Sequence, residues 1–129
     1  RAAIADGLVA ACHDVSDGGL LVALADMAVA SGMGLSLDWS PHDVPAHAFW
    51  FGEDQGRYLV TTRDPGALAD AAEAAGVEAT YLGRTGGRAV EDDDKTGAGD
   101  RRLRVTLDAL RKAHEAFFPG LMGGELTVA

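Results

Sequence analysis

The chain has 129 residues, 47% hydrophobic and 24% charged, which suits one globular domain and argues against disorder over the whole length. Its 11 basic residues against 20 acidic ones give a formal charge of −9, a balance that repels phosphate backbones and anionic lipid and so argues against nucleic acid and membranes as partners. A single cysteine, Cys12, excludes an intrachain disulfide and fits a reducing cytoplasm.

No apolar run approaches the ~20 residues of a membrane span, and no signal peptide precedes the first strand. The opening Arg1 reads as a cut made inside a longer protein.

Residues 1–7 read as the end of a helix closed by Gly7. The apolar run from Leu8 to Cys12 reads as a buried strand, and His13 to Gly19 as a turn-rich loop. Leu20, Leu21, Leu24, Met27, Ala28 and Ala30 then recur at helical spacing, ended by Ser31-Gly32. Gly34 to Trp39 alternates as a second strand. Pro41 to Pro45 is a loop, Ala46 to Phe51 a short helix, and Gly56 to Thr62 a third strand rich in β-formers.

Asp64 and Pro65 form an N-cap and first helical position. The helix they open carries an Ala67, Leu68, Ala71, Ala72, Ala75 stripe and ends at Gly76. A fourth strand is predicted over Val77 to Leu82, a turn over Gly83 to Gly87, and a fifth strand at Arg88 to Val90. The acidic run Glu91 to Asp100 reads as a loop, after which Leu103 to Val105 resumes the strand. Thr106 caps a last helix carrying Leu107, Leu110, Ala113, His114, Phe117 and Phe118 on one face and stopped by Pro119-Gly120. One domain over residues 1–121 and a loose tail over 122–129 follow. The order predicts an α/β or α+β layer fold with a mixed sheet and helices packed on it.

One segment is dense in chemistry: His13-Asp14-Val15-Ser16-Asp17-Gly18-Gly19. Ser16 or Asp17 can cap the helix that follows. Gly18 and Gly19 allow close backbone approach at the positive end of the helix dipole. Asp14 offers the carboxylate oxygen that magnesium prefers together with phosphate. His13 could orient a partner or donate to a phosphate oxygen. A plain capped helix with glycines at its start explains the same residues.

The stretch Ala11 to Met27 (ACHDVSDGGLLVALADM) closely resembles the C-terminal domain of the phosphoribosylformylglycinamidine synthase family. The family pattern is a His-Asp-x-Ser-Asp/Glu-Gly-Gly-Leu loop before an alanine-rich helix. Gly32-Met33-Gly34, Phe51-Gly52-Glu53-Asp54-Gln55-Gly56-Arg57 and Leu82-Gly83-Arg84-Thr85-Gly86-Gly87 resemble further family segments, so the resemblance covers roughly residues 8–120. It implies a three-layer α/β/α fold like the C-terminal domain of AIR synthase. It also implies an ATP-dependent ligase of purine synthesis. In that reaction formylglycinamide ribonucleotide is phosphorylated on its amide oxygen, and glutamine-derived ammonia displaces the phosphate to give formylglycinamidine ribonucleotide.

Carried over residue by residue, the resemblance makes Asp14 a magnesium ligand. It makes His13, Ser16, Asp17, Gly18 and Gly19 the nucleotide- or phosphate-binding set, with ATP and Mg²⁺ as cofactors. Glu53 and Gln55 resemble a substrate-contacting segment, with Asp54 standing where serine is commoner. No catalytic residue is expected in this chain, because the catalytic histidine and most ATP ligands belong to other domains, and the isolated domain is expected to be inactive. The implied partners are the rest of the polypeptide, a glutaminase subunit and a small accessory subunit. The end after Pro119 favours the form of the enzyme with separate subunits.

Two other readings stay open. In one the domain is a scaffold whose loop is empty or holds a structural, non-catalytic nucleotide, as in the long form of the enzyme. In the other the chain comes from a sister of the AIR synthase superfamily, such as thiamine-monophosphate kinase or selenophosphate synthase; the pairing of His13-Asp14 with Ser16-Asp17-Gly18-Gly19 argues against that.

The other tempting residues read as ordinary structure. Cys12 is expected to be a small buried hydrophobe rather than a nucleophile. His42, His47 and His114 lack metal-ligand spacing. Trp39 and Trp50 are expected to pack rather than stack on a base. The acids from Glu91 to Asp94 lack the alternation of a calcium loop.

Overall fold

A computed structural model of the chain describes residues 1–38, 44–92 and 103–123, with the backbone alone at 117 and 118. Expectations for Trp39, His42, the loop after Pro41, the acidic run beyond Asp92, the phenylalanines at 117 and 118, and the tail from 124 lie outside the described residues. The elements in order are α1 (Ala2–Ala5), β1 (Ala11–Asp14), α2 (Gly19–Ser31), β2 (Leu35–Leu37), α3 (Ala46–Phe51), β3 (Tyr58–Thr61), α4 (Pro65–Ala74), β4 (Gly83–Thr85), β5 (Ala89–Asp92), β6 (Arg104–Thr106) and α5 (Leu107–Gly123). This is the expected mixed α/β composition, and no helix among the described residues is long and apolar enough to cross a membrane.

The chain divides into two compact units. The first comprises Arg1–Met27 and Trp39–Leu82, the second Ala28–Asp38 and Gly83–Ala129. In the first, β1 and β3 pair antiparallel, with Cys12 opposite Val60 and Asp14 opposite Tyr58. Alternation along the strands gives this ribbon two unlike faces. Leu59 is buried on one, while Tyr58 and Val60 stand exposed on the other.

Val15, Leu20, Ala23 and Leu24 join Leu59 in the core of this unit. The positions 20, 23 and 24 lie on one face of α2, as a 3.6-residue period requires. Ala23 belongs to that buried face and Ala30 is exposed, which shifts the expected stripe slightly. In α4 the Asp64 carboxylate accepts from the Ala67 amide at 2.9 Å, and Pro65 takes the first turn, as the sequence predicts. Ala67, Leu68, Ala71 and Ala72 form its half-buried stripe.

In the second unit the strand order is β4-β2-β5-β6. β2 pairs antiparallel with β4 and parallel with β5, so the sheet is mixed. Its core holds Ala28, Leu35, Leu37, Ala89, Val90 and Leu107, the last only 1% exposed. The Thr106 hydroxyl accepts from the Ala109 amide at 3.2 Å, the expected cap of α5. Gly83 lies against β2 so closely that a Cβ there would collide with the Ser36 carbonyl oxygen.

Several expectations are corrected. The first strand runs Ala11–Asp14, not Leu8 to Cys12, because pairing with Tyr58–Thr61 sets its ends. Cys12 is exposed rather than buried, since it shares the open face of the ribbon with Tyr58 and Val60. Val77 to Leu82 is not a strand; Val77 and Tyr81 are exposed, and the ladder partner of β2 is instead Gly83–Thr85, inside the expected turn. Pro119 does not stop α5, which runs to Gly123 and places Met122 in a helix rather than a tail. Ala113 and His114 point to solvent instead of extending the Leu107 face.

Candidate functional site

The dense segment spans three local structures. His13 and Asp14 end β1, Val15 to Gly18 form the loop, and Gly19 opens α2. The Val15 amide donates to the Arg57 carbonyl at 2.9 Å, which carries the β1–β3 pairing one step past Asp14. Strand pairing therefore brings the loop alongside the segment that precedes β3, although Asp14 and Tyr58 are far apart in sequence.

Between these two stretches lies a cavity of about 370 Å³. Asp14, Ser16 and Asp17 line it from the loop, and Glu53, Gln55, Arg57 and Tyr58 from the opposite segment. Five of the eight residues singled out from the sequence thus meet around one cleft: Asp14, Ser16, Asp17, Glu53 and Gln55. His13, Gly18 and Gly19 do not line it. His13 is paired with Leu59 on the other face of the ribbon. Its Nδ1 donates to the Asp14 carbonyl oxygen, which fixes the ring against its own strand.

The glycines serve the loop in another way. Both have positive φ, +80° at Gly18 and +76° at Gly19, which only glycine adopts without strain. A Cβ on Gly19 would stand 2.6 Å from the Phe51 carbonyl carbon, so the end of α3 sits directly on the start of α2. The Gly19 amide donates to the Ser16 carbonyl at 3.0 Å. The Gly18 amide donates to Glu53 Oε1 at 2.8 Å. The cap expected from the Ser16 or Asp17 side chain is supplied instead by Glu53, a residue 35 positions away.

Arg57 and Tyr58 line the cleft without having been assigned to a site from the sequence. The signal available was their position at the start of the β-rich run that follows Gln55. Arg57 is committed elsewhere: its guanidinium donates to Asp54 at 3.2 Å and to the Phe49 carbonyl at 3.4 Å, and lies 5.2 Å from the Phe49 ring centroid. Phe49 in turn meets Trp50 edge to face at 4.9 Å, so Trp50 packs, as expected.

With Arg57 engaged, the charge facing the cleft comes from the carboxylates of Asp14, Asp17 and Glu53. Such a lining repels a bare phosphate and attracts a cation. Among the described residues no three acidic, histidine or cysteine side chains converge as a metal cluster. A single accessible carboxylate, completed by phosphate oxygens and water, is the way magnesium is commonly held. Asp14, with its side chain 65% exposed, fits that donor set.

Comparison with known proteins places this chain in a family. A family described as "AIR synthase related protein, C-terminal domain" matches residues 1–93. The phosphoribosylformylglycinamidine synthase subunit PurL of Gluconobacter oxydans is 52% identical over 123 residues, covering 95% of this chain and 16% of that protein. This chain thus spans about a sixth of the length of such curated relatives. Among solved structures, T. maritima PurL complexed with ATP superposes with a TM-score of 0.68 at 15% identity, over 84% of this chain and 20% of that one. T. maritima PurL complexed with FGAR gives 0.69, again at 15% identity, over 84% of this chain and 19% of that one. At that identity the likeness concerns the fold alone, whereas the matched residues include the whole loop and the segment facing it. The chain belongs to the family of AIR synthase related proteins, as their C-terminal domain.

Proposed function

We propose that this chain is the C-terminal domain of a phosphoribosylformylglycinamidine synthase. The parent enzyme would use ATP and glutamine-derived ammonia to convert formylglycinamide ribonucleotide to formylglycinamidine ribonucleotide in the cytoplasm. It would work with a glutaminase subunit and a small accessory subunit. The observation that carries the reading is the meeting of Asp14, Ser16 and Asp17 with Glu53 and Gln55 around one cleft. The 52% identity to a PurL subunit supports it, and so do relatives of the same fold complexed with ATP and with FGAR.

In this reading Asp14 would hold Mg²⁺, whose positive charge would offset the negative lining of the cleft and so favour an anionic nucleotide. Ser16 donates its hydroxyl to the nucleotide. Asp17 faces the same cleft and belongs with Ser16 to the nucleotide-binding set. His13, Gly18 and Gly19 serve nucleotide binding by holding the loop in shape rather than by touching phosphate. Half a site offers few contacts against the fixed entropic cost of association, so the isolated domain neither turns over nor binds ATP tightly.

The scaffold reading draws on a different observation: the Gly18 and Gly19 amides are already satisfied within the chain. Complementation separates the two. The full-length gene, intact or carrying Asp14→Asn, is expressed in a purine auxotroph lacking this enzyme, and growth without purine is scored beside soluble protein level. Rescue by the intact gene and failure of a soluble Asp14→Asn protein is the expected result. Rescue by both makes the domain a scaffold, and rescue by neither overturns the assignment to this reaction.

A further inference from the structure

We infer that Glu53 is a positioning residue that shapes the nucleotide loop through the Gly18 amide, and that its carboxylate does not contact the substrate. The inference rests on the reading of the Asp14–Asp17 loop as a nucleotide site. It reverses the role that resemblance alone gives Glu53.

Three contacts carry it. Glu53 Oε1 accepts from the Gly18 N–H at 2.8 Å. One residue on, Gly19 leaves no room for a side chain against Phe51 and Gly52, the residues that lead into Glu53. Arg57, beyond Glu53, is tied back to Asp54 and to the Phe49 carbonyl. The segment from Phe49 to Arg57 is thus fixed on itself, and it touches the loop at two consecutive glycines.

The chemistry fits a latch. The Gly18 N–H lies just before the first turn of α2, where amides lack helical partners and favour a negative acceptor. The Glu53 oxygen meets that need at 2.8 Å; its charge adds some strength, but the reach of the side chain is what decides whether the bond forms. The loop that follows Asp14 has no side-chain cap of its own, so its conformation, and with it the direction of Ser16 and Asp17, depends on an acceptor supplied from elsewhere. Glu53 is that acceptor.

The test uses the full-length enzyme with three substitutions, Glu53→Gln, Glu53→Asp and Glu53→Ala. Glutamine keeps an oxygen at the same reach and loses the charge. Aspartate keeps the charge and falls one methylene short. A positioning role predicts that E53Q stays within about twofold of the parent in KM for ATP, while E53D and E53A raise it roughly tenfold with a smaller change in kcat.

Hydrogen exchange of the peptide spanning residues 15–22 gives a readout independent of turnover. The Gly18 amide is expected to stay protected in E53Q and to exchange faster in E53D and E53A. If E53A fails to fold, the order of E53Q and E53D still decides. E53D outperforming E53Q would show that charge at the cleft matters more than reach to Gly18, and would overturn the inference. Unchanged exchange and KM in both E53D and E53A would overturn it as well. An inactive parent enzyme sinks the proposed reaction, and the exchange pattern still tests the latch.

Discussion

Asp14 and Tyr58 are direct partners across the β1–β3 ribbon, so their side chains leave the same face at the mouth of the cleft. This pairing turns a strand end and a strand start into one site. It also makes Asp14 an exposed carboxylate rather than a buried one, with the His13 ring 3.9 Å away as its ionisable neighbour.

A first prediction follows from that exposure. In the full-length enzyme Asp14→Asn should raise the Mg²⁺ concentration for half-maximal activity by roughly tenfold or more, because a neutral amide is a poor ligand for a hard cation. Thermal unfolding should be unchanged. A large drop in melting temperature with an unaltered Mg²⁺ titration would assign Asp14 to the fold instead.

The packing of Gly19 on Phe51 yields a second. Gly19→Ala places a Cβ against backbone at a positive φ, which neither side can relieve by moving a side chain. The expected cost is about 2–4 kcal/mol, read as lower soluble yield and a lower unfolding temperature of the full-length protein. Gly66→Ala is the control. Its Cβ meets only Asp64 Oδ1 at 3.5 Å, inside α4, so it should be neutral or stabilising by up to about 1 kcal/mol.

A third concerns the start of α4. Asp64→Ala removes the acceptor of the Ala67 amide and should destabilise by about 1 kcal/mol, while Asp64→Asn, which still accepts, should cost less. Chemical denaturation of the three proteins checks the order, and equal losses for Ala and Asn would show that charge rather than capping is at work.

The most buried large side chain among the described residues gives a fourth. Leu107 is 1% exposed at the start of α5, and Leu107→Ala should cost about 2–5 kcal/mol through lost burial and the cavity left behind. Leu110, half-buried one turn later, should cost less on the same substitution. Urea denaturation midpoints of the two variants give the comparison.

Composition, the middle of the loop at residues 15–18, the helix over α2, and the Asp64-Pro65 and Thr106 caps were legible in the chain itself. These features rest on local chemistry: period, capping oxygens and proline geometry act within a few residues. The pairing partners were not legible. Val77 to Leu82 has the composition of a strand, yet Gly83–Thr85 took the place beside β2, because a ladder needs a free edge and a close backbone approach that Gly83 permits. Cys12 looked buried because its neighbours are apolar; alternation put it on the open face once pairing with Val60 set the register.

The candidate site divides in the same way. The sequence alone named Asp14, Ser16 and Asp17, which lie in one short segment, and the resemblance added Glu53 and Gln55. Only the tertiary structure set His13 on the far face of the ribbon and gave Glu53 to the Gly18 amide. Both outcomes depend on strand register and on a hydrogen bond across 35 positions, relations that no local propensity encodes.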